Sequence, residues 1–380
     1  MRLSVPVSAF VAAIVGFGGT LALIIAAANA VGASRIETAS WVTAICLAMA
    51  FESVWLSWRT RMPVITAWST PGAALVAASS GFTMADAAGA FILTALLLIA
   101  TGLFRPLTSL ISRIPASVAS GMLAGIVVGF ATSAVKTVTA DPVLILPLVA
   151  AFFVIRLVNP ALSVLAVLIG GGIAAFLLGR VGSLPAPELS TLTLINPAFS
   201  LSATIGLAIP LYLVTMASQN LSGLAVLKAA GYEPKPGPII AFTGFFSLLS
   251  APFGALTTNL AAISAAICTG PDAHPDPMER WKTGPFYALA YLIFAAFGAS
   301  LVAVFAVLPQ SLIVLVAGLA LMAPLANALS IALRDEPERM AATTTFAVTA
   351  SGIVLFGIGA AFWGLLAGLA VLGLDAFKKS

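Results

Sequence analysis

Glu52 is an acidic side chain well inside a long apolar stretch of this sequence, residues 38–58. A carboxylate in such surroundings is costly unless it faces a cavity or a partner, so it is a candidate functional residue. Because loss of water disfavours the charged form, Glu52 is a candidate to bind and release a proton. The alternative is a pairing with Arg59 or Arg61 near the end of the same helix. Arg59 is about 10 Å further along a helix, so a direct pair would need a kink or a bridging water.

A second group of polar residues, Ser218, Gln219 and Asn220, stands at the end of another apolar stretch, residues 199–218. Buried amides and hydroxyls must find hydrogen-bond partners. A bound ligand would satisfy Gln219 and Asn220, and helix capping would do so equally well. Both interpretations stay open at the level of the sequence.

The segment 63–75 changes character along its length. It begins with proline, continues with β-branched and aromatic residues that favour extended backbone, and ends with small residues. Pro71 suits the first turn of a helix, and Ser69 or Thr70 is placed to cap that helix as it runs through Gly72. The pattern predicts a short extended stretch followed by a half-helix.

The segment 252–263 in the second half of the chain has a similar pattern. It also begins with proline and ends with small residues. Thr257, Thr258 and Asn259 are predicted to cap a helix through residues 260–263. Interrupted spans at matching positions are typical of the binding site of a transporter, where half-helix N-termini attract anions. The alternative is two ordinary helices, each with a proline kink.

The sequence offers no constellation for catalysis or for a metal. His274 lies between Asp272 and Asp276 in a proline-rich loop without a fourth ligand, which indicates a solvated loop rather than a metal site. Cys46 and Cys268 lie in apolar segments and are expected to pack as small hydrophobic residues. We find no nucleotide-binding loop, nucleophile elbow or zinc-protease helix. We therefore predict no catalytic residues, no metal, no cofactor and no ATP-driven step.

The elements that must position these residues are transmembrane helices. Of 380 residues, 61% are hydrophobic and 8% are charged, whereas soluble domains carry about 25% charged residues. Because a span needs about 20 mostly apolar residues, we predict an all-α polytopic membrane protein with about fourteen spans. The predicted spans are 7–31, 38–58, 63–80, 85–104, 115–139, 141–157, 160–180, 199–218, 236–251, 252–269, 282–306, 308–330, 340–358 and 360–377.

The basic residues predict the orientation of these spans. With the N-terminus inside, 14 of the 17 Lys and Arg residues fall in inner loops and tails, and only Arg35, Lys136 and Arg180 fall outside. Inner loops of membrane proteins are enriched in Lys and Arg, so both termini are predicted to be cytoplasmic and the first segment to be a permanent span. Basic residues scattered in short loops indicate topology, not a nucleic-acid partner.

Two weak sequence echoes predict an internal repeat. Pro115 and Pro309, 194 residues apart, each precede a similar apolar run, and the segments that start at Pro63 and Pro252 match at an offset of 189. Seven spans per half would turn the second half upside down. We therefore predict two inverted seven-span repeats, residues 1–190 and 191–380, in which spans 3 and 10 are the interrupted ones.

The blocks 63–75, 216–223 and 259–277 resemble the benzoate/proton symporter family, and the resemblance extends over essentially the whole chain. The family is similar to the uracil-transporter and sulfate-permease fold. The resemblance implies a core of spans 1–4 and 8–11, a gate of spans 5–7 and 12–14, and usually a homodimer. It also implies a site between the half-helices of spans 3 and 10. Carried over by position, the residues implied to line it are Ser69, Thr70, Gln219, Thr258 and Asn259, and we predict that their neighbours Gly72, Asn220 and Thr257 bind the substrate with them.

One departure from the family concerns Leu256, where members often have histidine. This departure affects two things that the resemblance implies: which residue couples protons, and that the substrate is benzoate. We nevertheless expect a secondary transporter of the bacterial inner membrane that takes up benzoate or a similar aromatic carboxylate with protons. Phe17, Trp68 or Phe253 are candidates to contact the aromatic ring. Rival hypotheses are a transporter of nucleobases or inorganic anions with the same fold, and an intramembrane enzyme.

Overall fold

The computed structural model describes residues 2–104 and 115–379, with side chains through residue 375. The described part is mostly helical. In the first half the elements are α1 (Ser4–Ala30), α2 (Arg35–Thr60), β1 (Thr66–Trp68), α3 (Thr70–Ala77), α4 (Met84–Leu103), α5 (Ala116–Ala140), α6 (Pro142–Val158) and α7 (Pro160–Leu177).

The second half begins with α8 (Leu201–Ala229), a helix that contains two π-helical turns. It continues with α9 (Pro236–Ser250), β2 (Thr258–Leu260), α10 (Ile263–Thr269), α11 (Thr283–Ala296), α12 (Gly298–Val307), α13 (Gln310–Ala320), α14 (Met322–Ala332), α15 (Arg339–Ala350), β3 (Val354–Leu355), β4 (Ile358–Gly359) and α16 (Ala360–Lys379).

Eight helices in the described ranges are long and apolar enough to cross a membrane, or nine if the bent pair that joins residues 277–296 to α12 is one span. That pair bends by 62°, within the stretch 282–306 that was predicted as a single span. Other predicted spans are shorter than a full crossing helix, such as α6 and the two strand-helix segments that contain β1 and β2. A multi-pass membrane protein is confirmed, while the count of fourteen and the inverted repeats stay predictions.

Local signals explain where several of these helices begin. Ser34 and Glu37 form a capping box at the start of α2, and Thr83 and Asp86 form another at the start of α4. Such boxes satisfy backbone N–H groups that lack a partner in the first turn. Both proline echoes lie directly before helices, since Pro115 precedes α5 and Pro309 precedes α13.

The helices pack in two groups. In one group α4 packs on α9, α2 packs on α11, and α1 packs on α3 and α11. In the other, α5 packs on α13, α14 and α15, and α6 packs on α7. The first group corresponds to the predicted core and the second to the predicted gate, a functional division that stays a prediction.

The segment 178–200 joins α7 to α8 without regular secondary structure, and its backbone is bonded to elements of the first group. Ser190 N–H donates to Ala296 O (2.9 Å), and Ile195 N–H donates to Pro252 O (2.8 Å). Ser40 Oγ accepts from Thr193 N–H (2.9 Å). The segment therefore lies against the first group although it begins at the end of α7.

Strands β1 and β2 form a buried antiparallel pair at the centre of the first group. Thr66 is opposite Leu260, Ala67 is opposite Asn259, and Trp68 is opposite Thr258. A two-stranded pair has two open edges, and inside a membrane every backbone polar group needs a partner. Side chains from four helices provide these partners.

Each of the four helices contributes a side-chain hydrogen bond to the backbone of this strand pair. Ser53 of α2 accepts from Thr66 N–H (3.1 Å), and Tyr287 of α11 donates to Thr66 O (3.0 Å). The bonds to β2 are from Thr258 N–H to Ser247 Oγ of α9 (2.9 Å) and from Leu260 N–H to Asn220 Oδ1 of α8 (3.1 Å). The polar residues in these apolar helices thus hold irregular backbone inside the membrane region.

Candidate substrate-binding site

A cavity of about 310 Å³ lies where the two helix groups meet. One wall comes from α1, from the junctions of β1 with α3 and of β2 with α10, and from α8 and α11. The opposite wall comes from α5, α13 and α14. Its volume falls in the range of small-molecule sites, and it is bounded by both of the interrupted segments that the sequence singled out.

The start of α3 is built as predicted. Ser69 is the N-cap, and its Oγ accepts from Gly72 N–H (3.1 Å) while its carbonyl accepts from Ala73 N–H (2.7 Å). Pro71, which has no N–H, occupies the first turn. Thr70 lines the cavity at this point, so the half-helix starts at the cavity wall.

The start of α10 differs from the prediction. Thr258 and Asn259 do not cap a helix but belong to β2, and α10 begins only at Ile263, after Ala262, without a side-chain cap. The reason is tertiary, because pairing with β1 requires extended backbone at residues 258–260. Ala262, which directly precedes α10, and its first residues Ile263 and Ser264 line the cavity.

Of the eight predicted substrate-binding residues, Thr70 and Gln219 line the cavity. The other six lie behind its wall. Thr257, Thr258, Asn259, Asn220 and Ser69 are fully buried, and Gly72 is packed against Leu211.

A buried network of hydroxyl groups joins three of the elements around the cavity. Thr215 Oγ1 donates to Ser69 Oγ (3.1 Å) and lies 3.2 Å from Thr257 Oγ1. The Asn259 side chain, in the amide orientation that satisfies both groups, accepts from Ser69 N–H (2.9 Å) and donates to Leu260 O (3.0 Å). In this conformation these side chains hold α3, α8 and β2 together and do not reach the cavity.

Glu52 is fully buried behind the strand pair. Its Oε1 accepts from the Thr258 hydroxyl (2.5 Å), and its Oε2 has no hydrogen-bond partner among the described residues. The ion pairs found in residues 2–104 and 115–375 do not include Glu52. The alternative pairing with Arg59 or Arg61 is therefore wrong, and Arg61 instead lies over the Trp281 ring at 4.4 Å.

Aromatic side chains form part of the cavity wall. Trp68 and Tyr291 line it, and their ring centroids are 6.4 Å apart. Phe17 lies behind Trp68 with ring centroids 5.5 Å apart. Phe253 does not line the cavity, and its carbonyl accepts from Ser40 (3.0 Å) at another part of the protein.

Sequence reasoning missed Tyr291 on α11, Ser120 on α5 and Asn327 on α14, which all line the cavity. A signal existed for two of them. Tyr287 and Tyr291 are four residues apart and share a helix face, and Asn327 is an amide in an otherwise apolar helix. Neither signal shows which neighbouring helix these side chains contact.

The polar groups of the cavity wall are neutral. None of the described residues that line it is charged. Trp68 Nε1 donates to Thr20 Oγ1 (2.8 Å), which in turn donates to Gly16 O (2.7 Å). In the described part no group of three His, Cys, Asp or Glu residues is arranged to hold a metal. The wall can offer hydroxyl, amide and backbone N–H groups together with aromatic surface.

A family model described as benzoate membrane transport protein matches residues 1–374. The chain belongs to this family. It is 40% identical over 361 residues to the inner membrane protein YdcO of Escherichia coli (strain K12). This alignment covers 94% of the chain and 92% of YdcO. It is 33% identical over 369 residues to the benzoate membrane transport protein of Acinetobacter baylyi. This alignment covers 97% of the chain and 94% of the Acinetobacter protein.

Solved structures with the same fold include two transporters of other families. The transmembrane domain of the cyanobacterial bicarbonate transporter BicA matches with a TM-score of 0.59 and 17% identity, over 99% of the chain and 97% of that structure. SLC26A9 matches with a TM-score of 0.69 and 12% identity, over 98% of the chain and 65% of that structure. These likenesses show the fold.

Family membership and fold together establish the class of this protein. It is a multi-pass protein of the bacterial inner membrane, it is a secondary transporter of a small molecule, and it is not an enzyme. The hypothesis of an intramembrane enzyme is thereby excluded.

Proposed function

We propose that this transporter takes up benzoate or a similar aromatic carboxylate together with protons, by alternating access. The observation that carries the proposal is the juxtaposition of Trp68 and Tyr291 with polar groups in one cavity between the two helix groups. Benzoate has the two matching parts, a flat ring and a carboxylate. The name of the Acinetobacter relative supports the same substrate.

The carboxylate is proposed to bind near the starts of α3 and α10. Thr70 offers a hydroxyl there, and Gln219 offers an amide on the adjacent α8. At the start of α10, which has no side-chain cap, backbone N–H groups of the first turn lack intrahelical partners. Neutral donors of this kind bind anions without the strong attraction that a buried cation would provide. Release on the other side of the membrane is correspondingly easier.

Trp68 and Tyr291 are proposed to contact the ring. Aromatic pairs in edge or offset arrangements contribute about 0.5–1.5 kcal/mol beyond the area they bury. Phe17 and Phe294, whose ring centroids are 4.4 Å apart, back this wall. They fix its shape without exposing further polar groups.

Glu52 is proposed to carry the coupled proton. A buried carboxylate without a cationic partner is costly, so binding of a proton relieves that cost. Glu52 is bonded to Thr258 of β2, and β2 leads directly into the cavity-lining start of α10. Protonation of Glu52 would therefore act on the strand that positions the binding site.

The orientation of the cavity is also a proposal. Residues that line its gate side lie near the end of α14, as Asn327 and Ile331 do, and near the start of α5, as Ala119 does. The charge distribution predicts that both of these ends face the cytoplasm. The conformation is then inward-facing, with both termini cytoplasmic.

Transport of an inorganic anion is the second candidate, favoured by the fold shared with a bicarbonate transporter and an anion transporter. The aromatic wall argues for an organic substrate, because a hydrated inorganic anion gains little from Trp68 and Tyr291. A nucleobase is expected to need an acidic side chain for its ring N–H groups, and none of the described lining residues supplies one.

Counterflow in proteoliposomes tests the proposal. Vesicles loaded with benzoate, uracil or sulfate are given trace labelled substrate, with and without an acidic exterior, and empty liposomes serve as the control. We expect exchange of benzoate alone and faster net uptake with an acidic exterior. Exchange of sulfate or uracil without benzoate would contradict the substrate, and uptake that ignores the pH gradient would contradict proton coupling.

The predicted homodimer is testable on the same preparation. Light scattering of the purified protein, corrected for detergent, is expected to give twice the mass of the 38.5 kDa chain. A mass of one chain that does not change with concentration would contradict it.

A further inference from the structure

Helix α8 meets two different parts of the site with two neighbouring faces. Gln219 and Ser222, three residues apart and thus on one face, line the cavity. Asn220 and Gly223, also three residues apart, both contact Leu260 at the end of β2. The change from one face to the other takes a single residue, from Gln219 to Asn220.

The amide of Asn220 is fully engaged inside the protein. Asn220 has no exposed surface, its Oδ1 accepts from Leu260 N–H (3.1 Å), and its Nδ2 lies 3.5 Å from Met216 Sδ as donor. Leu260 N–H is at a strand edge in the membrane region, where an unmade hydrogen bond is costly. Asn220 is therefore placed to hold β2, not to touch a substrate.

Gly223 independently shows how tightly α8 is docked at the same point. A Cβ added to Gly223 would lie 2.3 Å from Leu260 Cβ and 3.0 Å from Ala261 O. Real side chains do not approach so closely, so only glycine permits this contact. Leu224 and Leu227 of α8 also pack in one apolar cluster with Leu260.

The residues that follow Leu260 line the same wall of the cavity as Gln219. Ala261, Ala262 and Ile263 all line it. The contact of Leu260 with α8 therefore sets the spacing between the lining residues of α8 and those that follow β2.

We propose that Asn220 is a positioning residue: by holding Leu260, it fixes the spacing between the lining residues of α8 and residues 261–263 of the binding cavity, while its neighbour Gln219 contacts the substrate. This inference rests on the proposed function only in assuming that the cavity binds the transported molecule. It reassigns Asn220, which the sequence had placed among the residues that bind substrate directly.

Four variants test the inference in counterflow. Asn220→Leu removes the acceptor oxygen at similar size, and Asn220→Asp keeps an acceptor oxygen. Gly223→Ala forces α8 away from Leu260, and Trp68→Leu removes a proposed contact with the substrate ring. Apparent KM is measured for benzoate and for several ring-substituted benzoates, and size-exclusion chromatography in detergent checks folding.

A positioning role predicts a uniform effect on all substrates. We expect Asn220→Leu and Gly223→Ala to raise KM about tenfold for every substrate without changing their order, which is the effect of one buried hydrogen bond left unmade. Asn220→Asp is expected to stay within about threefold of wild type. At this buried position the carboxyl is expected to be protonated, so one oxygen still accepts from Leu260 N–H and the O–H replaces the amide donor. Trp68→Leu is expected to change the order of the substrates, because the substrates differ in their rings.

Several results would overturn the inference. They are a folded Asn220→Leu protein with the wild-type KM, a changed substrate order in that variant, or an Asn220→Asp protein as impaired as Asn220→Leu. If Asn220→Leu does not fold, the KM values of Gly223→Ala and Asn220→Asp are compared instead. The inference requires a raised KM in Gly223→Ala and a KM near wild type in Asn220→Asp, and any other result overturns it. If the wild type exchanges uracil or sulfate and not benzoate, the proposed substrate is wrong, and the same variants are compared with the exchanged molecule and its analogues.

Discussion

The hydroxyl of Thr258 donates a hydrogen bond of 2.5 Å to Oε1 of Glu52, two residues that are 206 positions apart in the sequence. The bond joins α2 of the first half to β2 of the second. It connects the single carboxyl at the centre of the described helix bundle to the strand that leads into the cavity wall. We therefore expect a change in the charge of Glu52 to affect the place where substrate is proposed to bind.

Glu52→Gln is expected to separate exchange from proton coupling. Glutamine has the size of a protonated glutamate and cannot release a proton, so benzoate counterflow should persist. The several-fold acceleration by an acidic exterior should disappear. The measurement is initial uptake with and without a pH gradient in the same proteoliposomes.

Thr258→Ser is the matched control for Glu52→Gln, because it keeps the hydroxyl that bonds Glu52. It should respond to the gradient like wild type. If uptake by Glu52→Gln is still faster with an acidic exterior, Glu52 does not carry the coupled proton.

Ser69→Ala is expected to weaken both the fold and substrate binding. Loss of an N-cap costs about 1 kcal/mol, and here Thr215 also loses its acceptor. We expect a lower melting temperature in detergent and a KM for benzoate raised about five- to tenfold, since 1.4 kcal/mol corresponds to tenfold.

Ser34→Ala removes an N-cap of the same kind at the exposed start of α2. It serves as the control for Ser69→Ala, with a similar loss of stability and an unchanged KM. Equal effects of the two variants on KM would show that the α3 cap has no special relation to the binding site.

Trp68→Leu is expected to weaken binding of aromatic substrates selectively. Affinity for benzoate should fall about tenfold relative to an aliphatic carboxylate of similar size, because the edge and face contacts of the indole are lost. Competition of each compound against labelled substrate measures the ratio. Trp58→Leu, which changes a half-exposed tryptophan on α2, is the control and should leave this ratio unchanged. An unchanged ratio in Trp68→Leu would show that the substrate ring does not contact Trp68.

Two cysteine pairs test whether the two helix groups move against each other. An added Cβ on Gly19 of α1 would lie 3.9 Å from Val164 Cβ of α7, and one on Gly182 would lie 3.6 Å from Val307 Cβ of α12. Both distances suit a disulfide. The first pair crosses between the groups. The second joins the segment 178–200 to α12, which packs on α2 of the first group.

In a background without Cys46 and Cys268, oxidation of Gly19→Cys/Val164→Cys should abolish transport, and a reductant should restore it. Oxidised Gly182→Cys/Val307→Cys should transport normally, because both positions are expected to move together. Full transport by the oxidised first pair, with the crosslink shown by gel shift, would be incompatible with alternating access by relative movement of these groups.

Several features of the site follow from short-range chemistry and were therefore predictable. Ser69 caps α3 because a hydroxyl three residues before Gly72 can reach its N–H, with Pro71 already in a helical conformation. Glu52 was predictable as a buried carboxyl because a run of apolar neighbours leaves it no route to water.

The sequence alone determined that the chain lies in a membrane, that its segment 63–75 changes from extended to helical, and which polar residues are costly there. Composition, periodicity and capping are local properties, so the residues themselves carry them. Only the tertiary structure decided that residues 258–260 pair as a strand with β1, that Asn220 turns to Leu260 while Gln219 turns to the cavity, and that Tyr291 joins Trp68 in its wall. These outcomes depend on contacts between segments distant in sequence, and in an apolar interior each buried polar group takes the partner that the packing of helices brings within reach.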